Sequence, residues 1–108
     1  MKKVTGIGGV FFKSKDPVAT KKWYQKHLGF NTDEWGCTFR REQENNSATT
    51  QWSPFSDTTD YFKPSEKEFM INYRVENLET LLIELKKEGV KIVGEMQKFE
   101  YGKFAWII

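Results

Sequence analysis

Apolar and polar positions fall into blocks along the chain, and the period changes from block to block. "VTGIGGVFF", from Val4 to Phe12, is β-branched, aromatic and glycine-containing, which predicts a buried strand. The following "SKDP" places Asp16 where its carboxylate caps a helix and Pro17 at the first helical position, where a missing N–H costs nothing. A helix is predicted through "VATKKWYQKHL" to a left-handed exit at Gly29. Val18, Trp23, Tyr24, His27 and Leu28 fall on one side of it, leaving Lys21, Lys22 and Lys26 to water. "GCTFRRE" and "SATTQWSPF" then predict a hairpin around "QENNS", whose asparagines suit a turn. "SPFSDTTDYFKPSEK" reads as a linker or a covering loop, on its two prolines and small polar residues. Beyond it, "EFMINYRV" predicts a strand. Asn77 caps a second helix, in which Leu78, Leu81, Leu82 and Leu85 form a core-facing stripe. Lys86 and Lys87 suit its C-terminal dipole, and Gly89 ends it. "VKIVGEMQKF" and "GKFAWII" complete the pattern as strands.

The two halves match each other. "VFFKSKD" before the first helix parallels "INYRVEN" before the second, with Lys13 against Arg74 and Asp16 against Asn77 at a spacing of about sixty residues. The expected organisation is α+β: two tandem βαβββ modules, about 1–55 and 67–108, joined by a linker at about 56–66, within a single domain over 1–108.

Composition narrows the partners. The 108 residues suit one domain, and 17 Lys+Arg against 15 Asp+Glu leave a net charge of +2 with no basic stripe, so nucleic acid is not an expected partner. No apolar run reaches membrane-spanning length and no export signal is visible; with the lone Cys37, this gives a cytoplasmic expectation without disulfides. "GIGG" fails the dinucleotide-binding pattern because Phe11 stands at its last glycine position and its glycines lie within a strand.

"DPVATKKWYQKHLGF", "VENLETLLIELKKEGVKIV" and "YGKFAWII" resemble the helices and closing strands of the vicinal oxygen chelate superfamily, which includes glyoxalase I, extradiol dioxygenases and the bleomycin and fosfomycin resistance proteins. The resemblance covers essentially the whole chain and implies a curved, incompletely closed sheet around a cleft, usually with a divalent metal. It also implies where ligands would stand. The first position matches Gly9, the second falls in "SATTQWSPF" with Gln51 and Ser53 as weak oxygen donors, and the third matches Met70, whose thioether is too soft for a hard cation. A fourth ligand would lie on a final strand after "FAWII", which this sequence lacks. No metal or other cofactor is therefore expected. The open edge near Phe104, Trp106 and Ile108 would recruit a second copy, giving a homodimer.

With Gly9 facing the cleft, alternation places Phe11 and Lys13 beside it and Val10 and Phe12 against the helix. The same rule brings Met70, Asn72 and Arg74 to the cleft and leaves Ile71, Tyr73 and Val75 under the leucine stripe. The expected ligand-binding set is Phe11, Trp52, Met70, Asn72, Arg74 and Trp106, a lining suited to a mostly apolar molecule with one or two polar anchors. For Asn72 and Arg74 the alternative is satisfaction of neighbouring backbone groups, and for both tryptophans it is core packing. His27 reads as helix-end packing, and Cys37, with no neighbouring base, as an inert thiol.

Three functions follow as expectations. The first is a metal-independent binder of a small, partly apolar molecule. The second is a divalent-metal-dependent lyase, like lactoylglutathione lyase, or a dioxygenase, drawing on Glu44, Gln51 or Asp60. The third is a structural or regulatory protein with a vestigial cleft.

Overall fold

The computed structural model describes residues 3–40 and 48–108. Six strands and two helices follow in the order β1 (Val4–Ser14), α1 (Pro17–Leu28), β2 (Cys37–Arg40), β3 (Thr49–Ser56), β4 (Phe69–Val75), α2 (Leu78–Lys87), β5 (Ile92–Phe99) and β6 (Gly102–Ile107). An isolated bridge between Thr32 and Cys37 adds a short pairing ahead of β2. The "QENNS" turn and the candidate donor Glu44 lie outside the described residues.

The two helices begin alike, as the internal repeat implies. Asp16 Oδ1 accepts from the Ala19 amide at 3.0 Å and Asn77 Oδ1 from the Thr80 amide at 3.1 Å. Each side chain thus satisfies one of the N–H groups that a helix start leaves without a partner. α1 ends where Gly29 adopts φ 70°, a conformation that glycine takes without a Cβ penalty.

Two compact units form. One comprises Gly6–Arg74, and the other joins Met1–Thr5 to Val75–Ile108. In the first, the strands run in the order β2-β3-β1-β4, with β1 parallel to β3 and β2 antiparallel to β3. β4, assigned by sequence to the second module, falls almost entirely within this unit. The register sets Val10 beside Trp52, Phe11 beside Ser53 and Lys13 beside Phe55. Partners across a ladder share a face, so the sheet has two distinct sides.

One side packs on α1. Trp52 meets Tyr24 at 4.7 Å, Phe30 at 5.0 Å and Phe12 at 5.4 Å between ring centroids, and Phe39 closes on Phe30 at 5.2 Å. These rings, with buried Cys37 at the partner position to Trp52, make the core beneath the helix. Tyr24 is the helix residue that reaches Trp52, whereas Val18, Trp23 and Leu28 are exposed. His27 is exposed as well, with its ring 4.7 Å from that of Trp23.

The second unit rests on the β5–β6 hairpin. Val93 pairs with Trp106 and Gln97 with Phe104, with a register shift between Val93 and Gln97 at which Gly94 takes φ 68°. Such an irregularity bends the strand. α2 packs on β6, with Leu81 buried and Leu78, Leu82 and Leu85 partly buried. Lys103 pairs with Glu79 at the helix start, while Lys3 approaches Glu84 and Glu88 at 3.8 and 3.9 Å. The Lys103 hydrogen bond, followed by its charge, holds the Glu79 carboxyl below its ordinary value. Among the described residues, no helix is long and apolar enough to cross a membrane.

Candidate ligand-binding face

The other side of the first sheet combines a polar strip with an aromatic wall. Thr38 donates to Gln51 Oε1 at 2.5 Å, and Gln51 Nε2 donates to Ser53 Oγ at 3.0 Å. Ladder pairing explains this chain: Thr38 is the partner of Gln51, and Ser53 lies two residues further along β3 on the same face. Ser53 is only 5% exposed, so its hydroxyl needs the amide it receives.

Beside the strip, β1 contributes Gly9, Phe11 and Lys13. Phe11 meets Phe55 edge-on at 5.7 Å, and Tyr61 stacks on Phe55 at 5.3 Å with the planes 2° apart. Phe62 is buried against Phe55 at 5.4 Å. Tyr61 and Phe62 come from the segment that sequence reads as a linker or covering loop. Its turns are fixed by Asp57 N–H to Ser14 O at 3.0 Å, Lys63 N–H to Asp60 O at 3.1 Å and Ser65 N–H to Phe62 O at 3.0 Å. The segment covers Phe55 with two rings.

The structure divides the six residues expected to share a cleft. Phe11 lies on this face. Trp52 is a correction to that grouping: it lies on the opposite side, within the rings under α1, because β3 pairs Val10 with Trp52. Arg74 and Asn72 also part from Phe11. A β-carbon at Gly8 would stand 2.5 Å from Asn72 Oδ1 and 3.4 Å from Arg74 Cγ, and one at Gly6 would stand 2.5 Å from Arg74 Nη2. Gly8 and Gly9 point to opposite sides of β1, so Asn72 and Arg74 lie across the strand from Phe11. Met70 shares their side of β4 by the same alternation. Trp106 belongs to the other unit, as the partner of Val93.

Arg74 has a structural explanation. Its Nη1 donates to the carbonyls of Ile7 at 2.9 Å and Thr49 at 2.6 Å, and Thr50 Oγ1 also donates to Ile7 O at 2.9 Å. The guanidinium therefore crosses β1 and ties it to β3, through space that Gly6 leaves open. Of the two readings open for Arg74, backbone satisfaction is the one its bonds display.

Among the described residues, the positions where the resemblance implies metal ligands offer few donors. At the position where the resemblance implies a first ligand, Gly9 offers no donor, and the Phe11 ring fills the space: its Cζ would be 2.8 Å from a β-carbon there. Gln51 spends its amide on Thr38 and Ser53. Asp60 is exposed and paired with Lys63 at 3.1 Å. Among the described residues, no three His, Cys, Asp or Glu side chains gather to hold a metal. Burial raises the Cys37 thiol above its ordinary value against a lowering hydrogen bond from the Asn31 backbone, which keeps it a poor soft ligand and a poor nucleophile.

No protein-family model matches the sequence, and no curated protein matches it significantly. Among solved structures, the chain is similar to a variant of Streptomyces coelicolor methylmalonyl-CoA epimerase in complex with 2-nitronate-propionyl-CoA. That likeness has a TM-score of 0.65 at 13% identity and covers 97% of this chain and 88% of the other. It is also similar to methylmalonyl-CoA epimerase from Mycobacterium tuberculosis, with a TM-score of 0.56 at 18% identity over 98% and 81% of the two chains. The chain has the glyoxalase-like fold. These epimerases belong to the vicinal oxygen chelate superfamily, so the architecture implied by the helices and strands of this sequence is the one the neighbours display. At these identities the glyoxalase-like likeness is one of fold. Thr38, Phe55, Tyr61 and Phe62 were missed by sequence reasoning, although the aromatic pair within an otherwise polar loop is a readable sign that the loop packs on something apolar.

Proposed function

We propose that the protein binds a small, partly apolar molecule on the face formed by Thr38, Gln51, Ser53, Phe11, Phe55 and Tyr61, without a divalent metal. The observation that carries this reading is the Phe11 ring lying over Gly9, which replaces a ligand position by an apolar surface beside a hydrogen-bonding strip. Rings supply area and dispersion, and the second N–H of the Gln51 amide and the lone pairs of the exposed Thr38 hydroxyl, left over from the strip's own bonds, supply direction. The solved neighbours support a ligand-binding use of the fold, since one of them holds an acyl-CoA analogue. Epimerisation itself is not carried over. Removing and returning a proton at carbon calls for placed bases, and the strip offers an amide and two hydroxyls.

The test is a fragment screen by two-dimensional NMR in the presence of EDTA. Binders whose shift changes cluster on Phe11, Gln51, Ser53 and Phe55 support the reading. Stoichiometric uptake of Ni²⁺, Zn²⁺ or Mn²⁺ by the metal-stripped protein at about micromolar affinity or better would overturn it. So would fragments that bind only elsewhere.

A further inference from the structure

β4 brings a further row of side chains to this face. Gly8 faces Asn72 and Gly6 faces Arg74, so β4 runs antiparallel to β1, and alternation turns Phe69, Ile71 and Tyr73 to the side of Phe11. Phe69 is 54% exposed, Tyr73 56%, and Ile7, on the same side of β1, 46%. Single exposed apolar residues are ordinary, but three on one side of two adjacent strands form a patch of the kind that marks a binding surface. The row is long and narrow. From Phe69 to Tyr73 it follows one strand for about 14 Å, which suits an extended chain better than a flat ring.

The charge of the sheet complements an acid. None of β1, β2, β3 and β4 carries Asp or Glu, although the chain has 15 of them. Their cations are Lys13, Arg40 and Arg74, and Arg74 is turned to the other side, against the carbonyls of Ile7 and Thr49. Lys13 shares the side of Phe11 and stands next to the end of the row, since its amide donates to the Glu68 carbonyl at 2.8 Å. It is partly buried, has no carboxylate partner among the described residues, and holds its Nζ 5.9 Å from the centroid of the Phe62 ring. A ring face replaces only in part the water that such an ammonium loses. We infer that the ligand of this face is an unbranched aliphatic carboxylate, its chain laid along β4 over Phe69 and Tyr73 and its acid group on the Lys13 ammonium. The inference rests on the binding reading above and adds the ligand class to it.

Chain length and charge are tested by separate probes. Hexanoate, octanoate and decanoate vary the chain, and octanamide keeps the chain of octanoate without its charge. Titrations followed by two-dimensional NMR should show affinity rising about twofold for each added methylene, less than full burial gives because one side of the chain stays in water. Octanoate should bind about tenfold more tightly than octanamide, a difference that Lys13→Met removes and Lys13→Arg largely keeps. Tyr73→Ser, at an exposed position, keeps the cation and should weaken octanoate and octanamide alike. Equal binding of these two probes to the parent protein would overturn the acid group's place on Lys13. Affinity that ignores chain length, or that Tyr73→Ser leaves unchanged, would overturn the path along β4. No binding of any of the four probes would overturn the whole inference: fragments that still bind at Phe11 and Gln51 would then leave the broader reading standing, and fragments silent there would remove it as well.

Discussion

The ring of Phe11 folds along β1 over Gly9, its Cζ 2.8 Å from the point where a β-carbon on residue 9 would sit. The Gln51 carbonyl closes the same space at 3.2 Å, and Gly9 is buried. Ring and carbonyl leave no room for a side chain. Gly9→Ala should therefore cost about 1 to 3 kcal/mol, as overpacking does elsewhere, read as a lower urea midpoint with an unchanged slope. Gly9→His alone should bind no Ni²⁺ in calorimetry. Pairing it with Phe11→Ala should recover part of the lost stability, and a single mutant as stable as the parent would show that the ring yields freely.

Arg74 and Gly6 form a second dependent pair. Arg74→Met removes the two bonds to Ile7 O and Thr49 O and should destabilise by about 1 to 3 kcal/mol. Gly6→Ala should act through the same contact, since its methyl would displace the guanidinium. The double mutant should then lose about 1 kcal/mol less than the sum of the singles. Strict additivity in denaturant melts would break the link between glycine and arginine.

Helix caps offer a direct comparison of the two halves. Asp16→Ala and Asn77→Ala should each cost about 1 kcal/mol, with Asp16→Asn close to neutral because the amide oxygen still accepts from Ala19. Thermal melts of the three variants decide this. Equal losses for Asp16→Asn and Asp16→Ala would assign the effect to charge instead of to the cap.

Cys37 makes stability depend on pH at the alkaline end. Its folded pKa is raised, chiefly by burial, so the unfolded thiol ionises first as pH rises. The contribution is fully present below the unfolded value and is lost as pH climbs through the folded one. Cys37→Ser should flatten the decline in stability above about pH 8.5. Alkylation by iodoacetamide at pH 8 should be slow in the folded protein and fast in urea, and rapid labelling of folded protein would contradict the burial.

The helix starts, the leucine stripe of α2 and the glycine exit of α1 were legible because each depends on a few adjacent residues. Trp52 was not, since its side of the sheet depends on the register between β1 and β3, and a shift of one residue moves every side chain to the other face. Asn72 and Arg74 were misgrouped with Phe11 for the same reason: local alternation orders residues within a strand but does not align two strands. The Thr38, Gln51 and Ser53 strip spans two strands, and its hydrogen bonds exist only once that alignment is set.

β1 is central to its sheet, yet its pairing partners arrive late in the chain. Gly9 meets Gln51, and the amide of Lys13 meets the carbonyl of Glu68. During synthesis, "GVFF" would therefore emerge with no neighbouring strand to cover it until α1, β2 and β3 had followed. Local contacts in α1 come early and cheaply, whereas closing the parallel ladder pays a long loop before it gains a bond. Folding of this unit should hence wait on the docking of β3 and β4 on the two sides of β1, with Phe11 and Trp52 reaching their separate faces as the β1–β3 ladder closes.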